Sequence, residues 1–338
     1  MKRTIYDVAH EAGVAISTVS RVINGSDEVS PATRERVEAA IEKLKFRPQR
    51  TARTLAQQQT HSLAVAMPSF TSLFFVEVLK GVKDELREHD IDLLLCNLGS
   101  TAPYDTLERF LNRGAVDALM IISLPIDDRL EGELSKLHAP IVLVGSQRDV
   151  FDSYYWDEVA GAENAVTHLT GLGHRRIGFI AAQSWDPNVE RRIQGYRQAL
   201  EAAGIPFDPD LVVTGETTKH AGFSEEAGTE AMQQLLALDD PITAVCASAD
   251  VQAYGAWAAL RDAGLDVPKD MSIVGYDNLK LSRYLNLTTI DHQMHRIGQT
   301  ATQRVLARME AGSTTDRLQQ AIVPELIVRG STSAPKDA

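Results

Sequence analysis

The chain is 338 residues long, with hydrophobic residues at 44%, charged residues at 24% and a net charge of −12. That length exceeds one typical domain, and that composition excludes a disordered or fibrous protein. A negative charge argues at first against a nucleic-acid partner, because DNA affinity is largely phosphate neutralisation. The charge is uneven, however: residues 1–60 hold ten Lys or Arg against seven acids, so the acidic surplus lies in the remainder. A basic head on an acidic body can bind DNA locally while repulsion keeps the body away. No run of about 18 apolar residues occurs, and no apolar segment follows the basic pair in MKRTIYDVAH. The expectation is a cytoplasmic protein with no membrane partner. Cys96 and Cys246 sit in apolar runs and read as small hydrophobes on buried strands, so no disulfide, metal or cofactor is expected.

The first predicted element is a short helix: Thr4 precedes apolar residues at Ile5, Val8, Ala9 and Ala12, and Gly13 follows where a left-handed residue would end it. A second helix fits Ile16 to Asn24, with Val19, Val22 and Ile23 inward and only three or four residues between the two. This is the helix-turn-helix spacing, in which small Ala9 lets the helices cross closely. The outward face of the second helix carries Ser17, Ser20, Arg21 and Asn24, which are phosphate and base-edge donors. A third helix opens with Ser30 as N-cap and Pro31 at its first position, then runs through Val37, Ile41 and Leu44. Periodicity alone would equally describe a three-helix bundle without DNA contact. After Phe46 and Pro48, QRTARTLAQQQT over residues 49–60 is polar apart from Leu55 and is too short to hold as an isolated helix, so on its own it reads as a linker.

From Ser62 short apolar runs alternate with helical stretches: SLAVAMP, DLLLCN, VDALMIIS and PIVLVG, then RRIGFIAA, DLVVTG, TAVCAS and MSIVGY. Such alternation indicates parallel α/β units, here two sets of four strands. The connection from Tyr154 to Gly173 and the return at Leu287 to Asp291 divide them into two subdomains, with a helix over Arg296 to Glu310 crossing back. A ligand belongs in the cleft at the strands' C-terminal ends.

The segment TIYDVAHEAGVAISTVSRVINGSDEVSPATRERVEAAIEKLKFRP resembles the headpiece of the lactose-repressor and galactose-repressor (LacI/GalR) family. The later stretches FFVEVLKG, GHRRIGFI, RRIQGY, ADVQAYGA, VGYDN, LTTI and VPELIVRGST resemble that family's effector-binding core, built like periplasmic sugar-binding proteins. The implied fold is α/β, two doubly wound parallel-sheet subdomains behind an all-α helix-turn-helix headpiece. The implied divisions are a headpiece over 1–48, a hinge over 49–60, and a core over 61–338. Within the core, one subdomain takes 61–158 plus 292–320 and the other 159–291 plus 321–330.

The resemblance implies that Ile16, Ser17 and Arg21 read bases while Tyr6, Thr18, Ser20 and Asn24 brace phosphates. A guanidinium can take guanine O6 and N7 together, worth roughly 1–3 kcal/mol of discrimination. It makes 49–60 a hinge helix that orders on DNA beside a dimer mate, inserting Leu55 into the minor groove with Arg50 and Arg53 near phosphates. In the core it puts Phe74 and Phe75 on one wall of an effector pocket, Phe223 on the other, and Asn188, Arg192 and Asp277 as polar clamps. Arg192 and Asp277 would divide a sugar's hydroxyls between donor and acceptor.

Several residues depart from the family pattern. Ala15 stands where a capping Ser is usual, so Ser17 caps the recognition helix or its first turn frays at a cost of about 1 kcal/mol. Asp27 and Glu28 put acids where phosphate would approach. Gly145 replaces an acid after the fourth strand, Ala249 replaces an Asn, and ETTKHAG from Glu216 to Gly222 reads as an insertion beside the pocket. Asp250 reads as structural, and Trp185 as a stacking platform or a cover for core.

The reading is therefore a repressor, not an enzyme, that binds a palindromic operator in double-stranded DNA as a homodimer and answers to a small, carbohydrate-like effector. A regulator using a nucleoside, purine or phosphoprotein corepressor, and a solute-binding protein without a DNA role, are the alternatives. G-x-S-x-G, H-E-x-x-H and P-loop motifs are absent. A C-terminal tetramerising coiled coil is disfavoured by the short, Pro335-containing tail.

Overall fold

The computed structural model describes residues 3–23, 26, 28–46, 61–99, 101–113, 116–183, 187–311 and 316–336. The chain divides into two compact units, Met1–Thr60 and His61–Ala338. The proposed hinge residues Arg50, Arg53 and Leu55, and also Asn24, Asp27 and Trp185, lie outside the described residues.

In the first unit α1 spans Ile5–Ala12, α2 Ile16–Ile23 and α3 Pro31–Leu44. The Thr4 backbone N–H donates to the Asp7 carboxylate at 2.7 Å, supplying part of a capping box that starts α1. Gly13 at φ +64° ends it, a conformation that costs glycine nothing. Ser30 caps α3 through the Thr33 N–H, ahead of Pro31. Val8, Ala9, Ala12, Val19, Val22, Val37, Ala40 and Phe46 form the core of this unit. Ala15 has no side-chain acceptor, and only its carbonyl engages the helix it precedes, accepting from the N–H groups of Thr18 and Val19.

The second unit holds two six-stranded sheets. The first contains β1 (Ser62–Met67), β2 (Asp92–Asn97), β3 (Ala118–Ile122), β4 (Ile141–Val144), β5 (Asp152–Trp156) and, from far along the chain, β11 (Gln319–Ile322). Their order is β11-β5-β4-β3-β1-β2, all parallel. The second contains β6 (Ile177–Ala181), β7 (Val212–Thr214), β8 (Ala244–Ala247), β9 (Ser272–Asp277), β10 (Thr288–Asp291) and β12 (Glu325–Ile327), ordered β12-β10-β9-β8-β6-β7. Of these β12 alone runs antiparallel, against β10. The helices are α4 (Leu73–Leu86), α5 (Pro103–Leu111), α6 (Asp128–Leu134), α7 (Glu158–Gly171), α8 (Pro187–Ala202), α9 (Glu225–Leu236), α10 (Asp250–Asp262), α11 (Lys280–Tyr284) and α12 (Met294–Ala311).

The α/β alternation is as expected, but each sheet has six strands, not four. The segments read as connections contain β5 and β10, and the C-terminal stretch supplies β11 and β12. Strand β5 reads DSYYW because its buried Asp152 is an anchor: Arg304 donates to it at 2.9 Å, and Arg308 and the Leu318 N–H each donate at 2.7 Å. A buried acid breaks the apolar pattern that marks the other strands. Strand β2, expected to be buried, is an edge strand whose Leu94 and Leu95 are exposed.

The chain passes from one lobe to the other three times, at Asp157, at His292–Gln293 and at Val323–Pro324. Helix α12 packs on α4 of the first lobe, and the last passage comes a few residues later than the expected boundary at 320 because β11 first pairs with β5.

Candidate functional site

In the first unit, α2 turns Ile16, Ser17 and Arg21 to solvent, with Tyr6 of α1 also exposed and Thr18 and Ser20 half-buried. Arg21 Nε lies 3.7 Å from a Glu28 carboxylate oxygen, both side chains being largely exposed. The acid expected to repel phosphate thus sits beside the guanidinium expected to read a base. Such an exposed pair is worth little in itself, and DNA could readily take its place.

In the second unit a cavity of about 250 Å³ opens between the lobes. The first lobe contributes Phe74 and Phe75 from the start of α4, Trp156 from the end of β5, and Asn97 and Ser123 from strand ends; the second contributes Asn188, Arg192, Phe223 and Asp277. Phe74 meets Phe75 and Trp156 edge-on at centroid distances of 5.2 and 5.6 Å. Asn188 Nδ2 donates across the cleft to the Gly145 carbonyl at 3.3 Å. Gly145 sits at φ +79°, and a Cβ there would lie 2.9 Å from Trp156 Cζ3, so the tryptophan ring occupies the space a side chain at 145 would need.

The cavity's base is ionic. Arg192 grips Glu158 with Nε at 2.8 Å and Nη2 at 3.0 Å, gives Nη1 to the Ser248 carbonyl, and lies 4.3 Å over the Tyr276 ring. His292 presents Nδ1 to Asp277 at 3.0 Å and Nε2 to Glu158 at 3.3 Å. Burial works to raise the Glu158 carboxyl, but the Arg192 and His292 charges overcome it and hold the group well below the usual carboxylate range. Burial likewise opposes charge on His292, yet Glu158 and Asp277 outweigh it and the imidazole is held above its ordinary range. With a carboxylate facing each ring nitrogen, an imidazolium donating both ways fits the geometry.

Asp277 itself adopts φ +120° and Asn278 φ +57°, a strained turn held from below by Asp250. The buried Asp250 carboxylate accepts from the Leu279 N–H at 2.7 Å, from Thr289 Oγ1 at 2.6 Å and from Ser282 Oγ. A Cβ at Gly275 would come 2.2 Å from that carboxylate, which is why β9 carries a glycine there.

Two family models match the chain: bacterial regulatory proteins of the lacI family over residues 4–49, and a periplasmic binding protein-like domain over 166–332. The HTH-type transcriptional repressor CytR of Escherichia coli is 34% identical over 341 residues, covering 98% of this chain and 96% of the relative. The chain belongs to the lacI family of bacterial regulatory proteins. Among solved structures, the lac repressor dimer bound to operator and the anti-inducer ONPF matches at TM-score 0.83 and 28% identity, over 99% of this chain and all of that one. A complex of the transcriptional regulator CelR with cellobiose matches at TM-score 0.71 and 31% identity, over 98% and 100%.

This lacI-family protein is thus a DNA-binding transcriptional regulator and not an enzyme. Among the described residues no cluster of His, Cys, Asp and Glu could hold a metal, and no helix is long and apolar enough to cross a membrane. The six pocket residues expected from the sequence, Phe74, Phe75, Asn188, Arg192, Phe223 and Asp277, all line the one cavity. Within the site Arg192 is bound to Glu158, and Asp277 to His292. A guanidinium in the interior takes the carboxylate that meets it in plane on two edges, and that is Glu158. Sequence reading missed Glu158, His292 and Trp156; an acid directly after the N-cap Asp157 looks like an ordinary helix-dipole partner. The segment from Glu216 to Gly222 includes a short turn over Lys219–Gly222 whose His220 and Ala221 also line the cavity.

Proposed function

We propose that this regulator is a repressor that binds a palindromic operator as a homodimer and is controlled by a small polar effector, a sugar or sugar derivative, held in the interlobe cleft. The observation that carries the reading is the cavity's composition. Aromatic faces on both lobes would cover a ring, while Asn97, Asn188, Ser123 and Asp277 offer the mixed donors and acceptors that hydroxyl groups need. The complex of the similar regulator CelR with cellobiose supports a carbohydrate as the effector. Ile16, Ser17 and Arg21 would read bases, Tyr6, Thr18, Ser20 and Asn24 would hold phosphates, and Arg50, Arg53 and Leu55 would engage the minor groove through a folded hinge. The exposed Leu94 and Leu95 on edge strand β2, with Leu281 and Tyr284 on α11, supply apolar surface for a dimer contact, and the lac repressor dimer supports that assembly.

Selection of duplexes from a random pool tests the reading. A two-fold symmetric site should emerge, Arg21→Ala should weaken binding to it by roughly 10-fold or more while relaxing preference at one base pair per half-site, and an effector should alter the affinity. Recovery of no symmetric site, with or without sugars, would refute it.

A further inference from the structure

The charges in the cleft are already matched to one another. Arg192 is the one arginine or lysine among the described residues lining the cavity; the Glu158 carboxylate and the Ser248 carbonyl take three of its five N–H donors, and Glu158 matches its charge. His292, directly beneath, has both ring nitrogens on carboxylates. Two cations and two anions thus alternate through Arg192, Glu158, His292 and Asp277, and the groups facing the cavity include the carboxylates of Glu158 and Asp277. The other polar lining is uncharged Asn and Ser, with the His220 imidazole on the short turn.

An anionic ligand has two ways to enter. It can leave the network intact and meet a guanidinium whose charge Glu158 already matches, beside two carboxylates and with no second arginine or lysine among the described lining residues, or it can draw Arg192 away and leave Glu158, only 2% exposed, short of its main counterion. Both are unfavourable in a site of low polarity. A neutral polyol meets neither obstacle. Its hydroxyls can donate to Asp277 and Glu158, accept from Asn97 and Asn188, and rest a ring face on Phe74 or Phe223.

We infer that the effector is an uncharged carbohydrate, that phosphorylated sugars and sugar acids are rejected, and that Glu158 sets this selectivity by occupying the guanidinium an anion would need. The inference rests on the reading of the cleft as the effector site. It goes further by assigning the charge class of the ligand and the residue that decides it.

The test uses the full chain in calorimetric titration and thermal-shift assays against matched pairs: glucose and glucose 6-phosphate, ribose and ribose 5-phosphate, cellobiose and cellobionate. At least one neutral member should bind, with its anionic counterpart weaker by about 100-fold. Glu158→Gln, with Arg192 released from a charged partner, should narrow that ratio by about 10-fold or more, whereas Glu158→Asp, which keeps the charge, should retain the preference. An anionic member binding wild type as tightly as its neutral counterpart overturns the inference while leaving the cleft reading intact. So does a folded Glu158→Gln protein with an unchanged ratio. If neither class shifts the melting temperature or alters operator binding, the cleft reading itself fails and the inference falls with it. The wild-type ratio decides the question even if Glu158→Gln does not fold.

Discussion

Replacing Arg192 with Met tests whether the ionic base of the cleft is as tightly coupled as its geometry indicates. Methionine fills much of the volume of the arginine stem but removes two charge-assisted bonds to Glu158, one to the Ser248 carbonyl, and the contact over Tyr276. Glu158 is then a carboxylate 2% exposed with His292 as its remaining counterion. Removing one partner of a buried pair costs about 3–5 kcal/mol, and the surviving imidazolium argues for the lower end. At about 2–4 °C per kcal/mol for a large domain, the melting temperature should fall by roughly 6–12 °C. The double replacement Arg192→Met with Glu158→Leu removes the stranded charge and should recover most of that loss, because a buried ion pair exchanged whole for apolar groups is often close to neutral. Urea denaturation of the unliganded protein provides the assay, with pH as a second axis. Without Arg192, burial dominates and Glu158 rises toward protonation, so the penalty in the single variant should shrink on going from pH 7.5 to pH 5. A single variant losing under about 1 kcal/mol, or a double variant no more stable than the single, would show that the pairing contributes little.

Two further outcomes follow from the same geometry. His292 is held above its ordinary range, so its contribution to stability is fully present below about pH 6.5, its value in an unfolded chain, and is lost as pH rises through the higher folded value. The melting temperature of wild type should therefore fall more between pH 6 and pH 9 than that of His292→Gln, and identical slopes would remove His292 from the account. On the headpiece, Glu28→Ala deletes the acid 3.7 Å from Arg21. Fluorescence anisotropy on a selected operator should show a few-fold gain in affinity with no change in melting temperature, consistent with about 0.2–1 kcal/mol for an exposed pair. A loss of affinity would instead assign Glu28 the job of orienting Arg21.

The headpiece was legible because its signals are local. Thr4 with Asp7, Gly13, and Ser30 with Pro31 mark helix ends within a few residues, and the inward pairs Val8 and Ala12, Val19 and Val22, and Val37 and Ala40 stand three or four residues apart within their helices. The alternation of strands and helices was equally visible, and so were the two aromatic walls once the family likeness was recognised. What escaped was set by contacts between distant parts of the chain. Strand β5 depends on β11, which arrives some 160 residues later, and on Arg308, which meets Asp152 across a separation of 156. No window along the sequence contains both partners.

The same holds for the cleft, where it bears on mechanism. Glu158 and Arg192 are 34 residues apart and Glu158 and His292 are 134 apart, so spacing could not pair them. Their positions become intelligible from topology. Glu158 follows the first passage between lobes and His292 lies at the second, while Trp156, at the end of β5, donates Nε1 to the His292 carbonyl at 2.8 Å. The Glu158–His292 contact therefore lies beside two of the connecting segments, where rotation of one lobe against the other would be absorbed. A ligand that touches Asp277 or Glu158 touches the groups that hold those connections in register. Linkage requires of an effector only that it bind open and closed lobes unequally, and the partners of His292, at the second passage, are where such a difference would register under the proposed reading.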